Sequence, residues 1–312
     1  MSNLRAAVVG AGAVGSFFGG MLARSGVPVT LIGREAHVDA IRRAGLAIER
    51  ADGVTRIELA ASTRIEDTAG ADLVLVCVKT PDTEDIARAL APHLAPDALV
   101  ISFQNGVDNV ERMRRSAGIA AAGAAVYVAA DLIAPGRVRH GGRGDLVLGE
   151  VPSVPLGERA GRLTLADVST HFERAQVPCR VVPDIRDALW TKMVLNCAYN
   201  ALSALGRVQY GPLIEAPGVR DLMLNIVDEV LAVAHASGVT LPRTSIAQAV
   251  FDLARGMPTA TSSTAQDLAR GRRTEIDSLN GFIAREGERL GIAVPHNRAL
   301  HVLVKLLEGG RR

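Results

Sequence analysis

Two groups of residues in this 312-residue chain have types and spacings suited to chemistry. The first is the run Gly10-Ala11-Gly12-Ala13-Val14-Gly15, which has the pattern GxGxxG. It follows the apolar segment Ala6 to Val9, read as a strand, and opens a segment through Phe17 to Ala23, read as a helix. In that setting the first glycine permits a tight turn, the second lets backbone approach a pyrophosphate, and the third lets helix and strand pack closely. The pyrophosphate then meets free N–H groups at the positive end of the helix. A glycine turn that serves packing alone is the competing reading, and the strand before it and helix after it favour a nucleotide. The end of the next strand, Val27 to Ile32, separates the dinucleotides, because an NAD site usually places an acid there for the ribose 2′-hydroxyl. Here the strand runs into Gly33-Arg34. A guanidinium pairs with a 2′-phosphate that a carboxylate would repel, so Arg34 favours NADP(H), although Glu35 directly after it argues for NAD.

The second group is Lys192, Asn196 and Asn200, at intervals of four. On a helix they share one face within about 80°. The opposite positions Val194, Leu195 and Ala198 are apolar. A solvated face would more often mix several charges, so one lysine with two asparagines reads better as the wall of a site. Such a lysine can stabilise negative charge growing on a carbonyl oxygen and then donate a proton to it. Further along stand Ser263 and Asp267, four apart, and Glu275 after Thr274. The two acids read equally well as surface or capping residues. Gln104-Asn105-Gly106 falls at the C-terminal end of an expected parallel strand, where ligands lie in a doubly wound sheet, or else is an ordinary Asn-Gly turn.

The elements that must position these residues fall into two sets, as a chain of this length allows. Leu73 to Val78 and Ala98 to Phe103 read as buried strands, separated by a helix carrying Ile86, Leu90 and Leu94. Gly45 to Glu49 and Arg56 to Ala60 read as an antiparallel pair. Ala124 to Glu150 reads as short added antiparallel strands, with Cys179 to Val182 the last of them. Strand and helix alternation of this kind predicts an α/β doubly wound, Rossmann-like N-terminal domain over residues 1–183. Pro183-Asp184 marks the break, with Asp184 capping a helix from Ile185. The stripes Ile226, Val230, Val233 and Ile276, Leu279, Ile283 then predict an all-α domain over 184–312, with room for a cleft between the two.

Bulk composition narrows the partners. A net charge of +2, from 35 basic and 33 acidic side chains, gives no field suited to nucleic acid or anionic membrane. Cys77, Cys179 and Cys197 have no CxxC spacing and no even count, which fits a reducing compartment; Cys77 and Cys197 lie in apolar surroundings and read as core residues. The N-terminus lacks a signal-peptide pattern and no stretch has the roughly 18 strongly apolar residues of a membrane span, so a cytoplasmic protein is expected. Seven histidines without ligand spacing imply no metal. Trp190 reads as a packing anchor for the helix carrying Lys192. The apolar helix stripes could face the domain core or a partner subunit, which leaves a homodimer open.

Taken together these positions resemble the ketopantoate reductase (2-dehydropantoate 2-reductase) family over nearly the whole chain. The resemblance rests on Gly10 to Gly15, Lys79 after Leu-Val-Leu-Val-Cys-Val, Gln104-Asn105-Gly106, Trp190-Thr-Lys192 with Asn196 and Asn200, Ser262-Ser263, Gln266-Asp267, and Thr274-Glu275-Ile-Asp277 before Asn280-Gly281. It implies NADPH-dependent reduction of ketopantoate to pantoate, in pantothenate and coenzyme A biosynthesis. It makes Lys192 the general acid, places Glu275 beside the reacting centre, and gives substrate contacts to Asn196 and Asn200. Ser263 and Asp267 fall on the substrate side, Lys79 and Arg34 on the cofactor, and Asn105 on both. The rival readings are a reductase of another small 2-oxo acid, an imine-reducing dehydrogenase, and a non-catalytic NADP(H)-sensing protein.

Overall fold

The computed structural model describes residues 4–157 and 162–310, and the chain divides into two compact units between Ile185 and Arg186. The first is built on strands β1 (Ala6–Val9), β2 (Val29–Ile32), β3 (Leu46–Arg50), β4 (Gly53–Ile57), β5 (Ala60–Ser62), β6 (Leu73–Val76), β7 (Leu99–Ser102), β8 (Ala121–Ala134), β9 (Arg137–Glu150) and β10 (Cys179–Asp184). They form one sheet in the order β4-β3-β9-β8-β7-β6-β1-β2-β5, with β10 also on β9. β1, β6 and β7 are apolar or small at every position and buried throughout, as parallel strands covered on both faces must be.

Helices α1 (Ala13–Arg24), α2 (Glu35–Ala44), α3 (Thr83–Leu90), α4 (Asn109–Ala117) and α5 (Leu165–Arg174) accompany the sheet. One core contains Phe17, Phe18, Met21 and Leu22 of α1 with Val8, Leu31, Leu73 and Ile101. Phe18 meets Phe103 and Phe172 edge-on at centroid distances of 5.5 and 6.1 Å. A second core holds Leu90 of α3 and Met113 of α4 against Val9, Val74, Val76 and Val100. Because adjacent strand residues point to opposite faces, Val8 enters one core and Val9 the other.

The sequence pattern captured the alternation but misplaced several ends. The β3–β4 hairpin turns at Ala51-Asp52 and closes at Ile57, while Ala60–Ser62 forms a separate strand parallel to β2. Leu94 lies beyond α3, which gives way after Leu90 to a 3₁₀ turn containing Pro92. The segments expected as short strands are two of 14 residues each, β8 and β9, whose antiparallel register shifts at bulges. β10 pairs with β9 in parallel rather than antiparallel. It continues through Asp184, so the following helix starts at Arg186 instead of Ile185.

The second unit is helical: α6 (Arg186–Gly206), α7 (Tyr210–Glu215), α8 (Val219–Ala236), α9 (Arg243–Gly256), α10 (Ser263–Ala269), α11 (Asn280–Leu290) and α12 (Pro295–Gly309). Ile226, Val230 and Val233 of α8 are fully buried, as are Ile276 and Ile283. The central helix α6 packs against α8, α10 and α12. It is anchored by Trp190, edge-on to Phe282 at 6.1 Å, and by Tyr199, whose hydroxyl donates to the Val250 carbonyl at 2.7 Å. Among the described residues no helix is long and apolar enough to cross a membrane.

Candidate active site

In the first unit the glycine run forms the loop from β1 into α1. Gly10 has φ +101°, and the N–H groups of Gly10 and Ala11 both donate to the Ile32 carbonyl, at 3.0 and 2.8 Å. A Cβ on Gly10 would lie 2.6 Å from the Val78 nitrogen and 2.7 Å from the Cys77 carbonyl carbon. One on Gly15 would overlap the Gly10 carbonyl oxygen. The protein's own packing therefore excludes side chains at both positions. Gly12 differs: it is exposed, and a Cβ there would meet nothing within 4 Å. It is the N-cap of α1, with no side-chain cap and no acid in the first turn. An uncapped helix start whose approach is open fits the pyrophosphate of a dinucleotide.

Gly33 lies against this loop, since a Cβ on it would sit 2.8 Å from the Ala11 Cβ. Arg34 follows as the exposed N-cap of α2, and Glu35 is the first helical residue. His37, one turn on, is buried. Its Nδ1 accepts the Gly136 N–H at 2.8 Å, which leaves Nε2 as the donor to Ser16 Oγ at 3.0 Å on α1. Burial lowers its pKa and so favours the neutral ring.

Lys79 and Asn105, both half-buried, follow β6 and β7 at the C-terminal edge of the sheet. The Asn105 carbonyl accepts from Thr80 Oγ1 and from Asn109 Nδ2, each at 2.7 Å. Beneath it Gln104 Nε2 donates to Thr83 Oγ1 at 2.6 Å, and the Thr83 hydroxyl lies 2.8 Å from the Thr80 carbonyl and 2.9 Å from Asn109 Oδ1. This buried network ties the Lys79 turn to the Asn105 loop. Thr80, Thr83 and Asn109 were missed in the sequence, where polar residues 20 to 30 positions apart carry no periodic signal.

In the second unit α6 carries Lys192 and Asn196, half-buried, and Asn200, 3% exposed. Asn200 Nδ2 is buried and has no hydrogen-bond partner among the described residues, an unusual state for a buried amide and one that a ligand oxygen would relieve. α10, which packs against the same helix, carries Ser263, exposed, and Asp267, half-buried. Its buried neighbour Ser262 makes the contact: Oγ donates to the Asn200 carbonyl at 3.1 Å and accepts the Ala265 N–H at 3.0 Å as the N-cap of α10. Glu275, half-buried, is the N-cap of a 3₁₀ turn over Ile276–Ser278. The turn is tied to α6 through Asn280, whose Nδ2 donates to the Cys197 carbonyl at 3.1 Å. Burial pushes the thiols of Cys77 and Cys197 well up, so neither supplies a thiolate.

The family profile described as ketopantoate reductase PanE/ApbA matches residues 6–153, and its C-terminal counterpart matches residues 184–308. A curated 2-dehydropantoate 2-reductase of Halobacterium salinarum is 34% identical, over 98% of this chain and 99% of its own. The chain belongs to the ketopantoate reductase family. A PanE/ApbA family ketopantoate reductase from Ralstonia eutropha JMP134 superposes with a TM-score of 0.89 at 46% identity, covering 98% of this chain and 99% of that one. A D-mandelate dehydrogenase in ternary complex with NADH and anilino(oxo)acetate shares the fold, with a TM-score of 0.90 at 24% identity over 98% and 99% of the two chains. Ketopantoate reductases are oxidoreductases dependent on a nicotinamide dinucleotide, and the open, uncapped start of α1 suits that group.

Proposed function

We propose that the chain is an NADPH-dependent reductase that converts ketopantoate to pantoate. The observation that carries this reading is the polar face of α6, one lysine and two asparagines on a helix whose other faces are largely buried, ending in an amide donor with no hydrogen-bond partner among the described residues. Gly10, Ala11, Gly12, Ala13, Val14 and Gly15 would hold the pyrophosphate, Arg34 the 2′-phosphate, and Lys79 and Asn105 the remainder of the cofactor. The reduced nicotinamide, when bound, supplies the hydride that adds to the ketone carbon. Lys192 stabilises the charge that develops on the ketone oxygen and transfers its proton there, which completes the alcohol. Glu275 orients Lys192 and favours its ammonium form until the proton is needed. Asn196 and Asn200 donate to the oxygens of the substrate, with Ser263, Asp267 and Asn105 completing its contacts. The reaction belongs in the cytoplasm, where the three free cysteines stay reduced.

Initial rates of NADPH oxidation with ketopantoate, beside NADH and a panel of other 2-oxo acids, test the proposal. Fast turnover that prefers NADPH and ketopantoate is expected. Turnover confined to another 2-oxo acid would refute the substrate, and NADPH binding without any turnover would refute the enzyme.

A further inference from the structure

The two ends of the turn that presents Glu275 are gripped by a ladder of polar residues on α12. One residue before it, Thr274 is completely buried. Its N–H and its hydroxyl both donate to Oε1 of Glu308, at 2.8 and 2.5 Å, and the hydroxyl oxygen accepts the Ile276 N–H at 3.2 Å. Two residues after Glu275, the carboxylate of Asp277 meets His301 Nε2 at 2.7 Å on one oxygen and Lys305 Nζ at 2.9 Å on the other. The Asp277 carbonyl accepts from Arg285 Nη2 at 2.8 Å. Lys305 closes the ring with a 2.7 Å contact to the second oxygen of Glu308. His301, Lys305 and Glu308 are spaced four and three apart, so they share one face of α12.

A 3₁₀ turn of three residues has too few internal hydrogen bonds to fix its own shape. Exposed ion pairs would add little to that, but two donors from a buried threonine onto one carboxylate oxygen are charge-assisted and directional. Given the role proposed above for Glu275, we propose that Glu308, Lys305 and His301 are positioning residues for it. They fix the peptide units on either side, so that the Glu275 carboxylate is held in one orientation. Burial raises the pKa of Asp277 and Glu308, but the hydrogen bonds from the ladder outweigh it and keep both carboxyls below their ordinary range. The charged form of both is therefore favoured.

A double-mutant cycle in the full-length protein tests this, with Glu308→Ala, Glu275→Ala and the pair assayed for ketopantoate reduction, NADPH affinity and amide exchange at residues 274–278. Glu308→Ala should lower kcat by about 10- to 100-fold, the cost of a small misplacement, with NADPH affinity unchanged and Thr274 exchanging faster. Glu308→Gln, which keeps an acceptor for Thr274, should recover most of the rate. In the Glu275→Ala background the same change should cost less than about twofold, because the residue it positions is gone. The proposal is overturned if Glu308→Ala leaves kcat intact, or if it costs the same factor in both backgrounds, as a purely structural contact would. Should Glu308→Ala not fold, Lys305→Met carries the same cycle, since it cuts the contacts to both Asp277 and Glu308 at a partly exposed position. Wild-type turnover in Glu275→Ala alone overturns the role of Glu275 and the function of the clamp together, a result separable from the others because Glu308 is untouched.

Discussion

The two units build their sites from opposite materials. The first makes its binding loop by leaving atoms out: Gly10 and Gly15 are required by the protein's own packing, and Gly12 leaves an open approach to the N–H groups of α1. The second makes its candidate site by adding side chains to a helix, and the turn that carries Glu275 is held by a carboxylate, a lysine and a histidine from another helix. The first should therefore be broken by adding a methyl group and the second by removing a functional group.

The largest effect expected within this comparison is that of Gly10→Ala. The new Cβ would collide with backbone, and φ is positive, so strain of about 1–3 kcal/mol or more falls on the first unit. Thermal unfolding should shift down and NADPH binding should be lost. Gly12→Ala sharpens the point, because in the free protein the methyl meets nothing. It should fold with an unchanged melting temperature while the NADPH dissociation constant rises at least about tenfold. If the two variants lost stability equally, the division between packing glycine and ligand glycine would be wrong.

Removal of a group should act more selectively. Arg34→Ala should raise the KM for NADPH by about tenfold and leave that for NADH unchanged, since only the 2′-phosphate loses a partner. Equal effects on both cofactors would show that Arg34 serves the fold. Asn200→Ala should raise the KM for the 2-oxo acid and spare NADPH binding, because Nδ2 has no partner among the described residues to lose.

The smallest effect expected is on acid stability, where the units again differ. In the first unit burial lowers the pKa of His37, His140 and His171 below the ordinary histidine value of 6.5. The unfolded chain then binds protons more readily, so that contribution is full above about pH 6.5 and shrinks as pH falls below it. In the second unit the depressed groups of the ladder are carboxyls, Asp277 and Glu308. Their contribution is present above the ordinary carboxylate range and is lost only as pH falls through about 4 and below. Amide exchange read separately for each unit, with intrinsic rates corrected, should show the first loosening at the higher pH.

Both candidate sites were legible in the sequence where they are local. The glycine loop is six consecutive residues, and Lys192, Asn196 and Asn200 repeat at the helical period, so each declares itself without a fold. The central parallel strands β1, β6 and β7 were equally plain because burial on both faces makes them apolar or small throughout. What stayed hidden depends on pairing between distant segments. Nothing in Thr274 and Glu308, 34 positions apart, announces that one binds the other. The turn of Thr80 against Asn105 and the parallel course of β10 beside β9 were hidden for the same reason. Element ends were misread where a 3₁₀ turn ends a helix, as at Pro92, and where the chain changes its pairing partner, as between Ile57 and Ala60.

The most direct test of the account is single-turnover reduction of ketopantoate from a preformed NADPH complex, followed by stopped-flow absorbance in the wild type and in Lys192→Ala. A fall in the rate of about 10²- to 10⁴-fold, with the NADPH dissociation constant unchanged, is the expected result for loss of a general acid. An unchanged rate would contradict the assignment of Lys192 and with it the proposed reaction on α6.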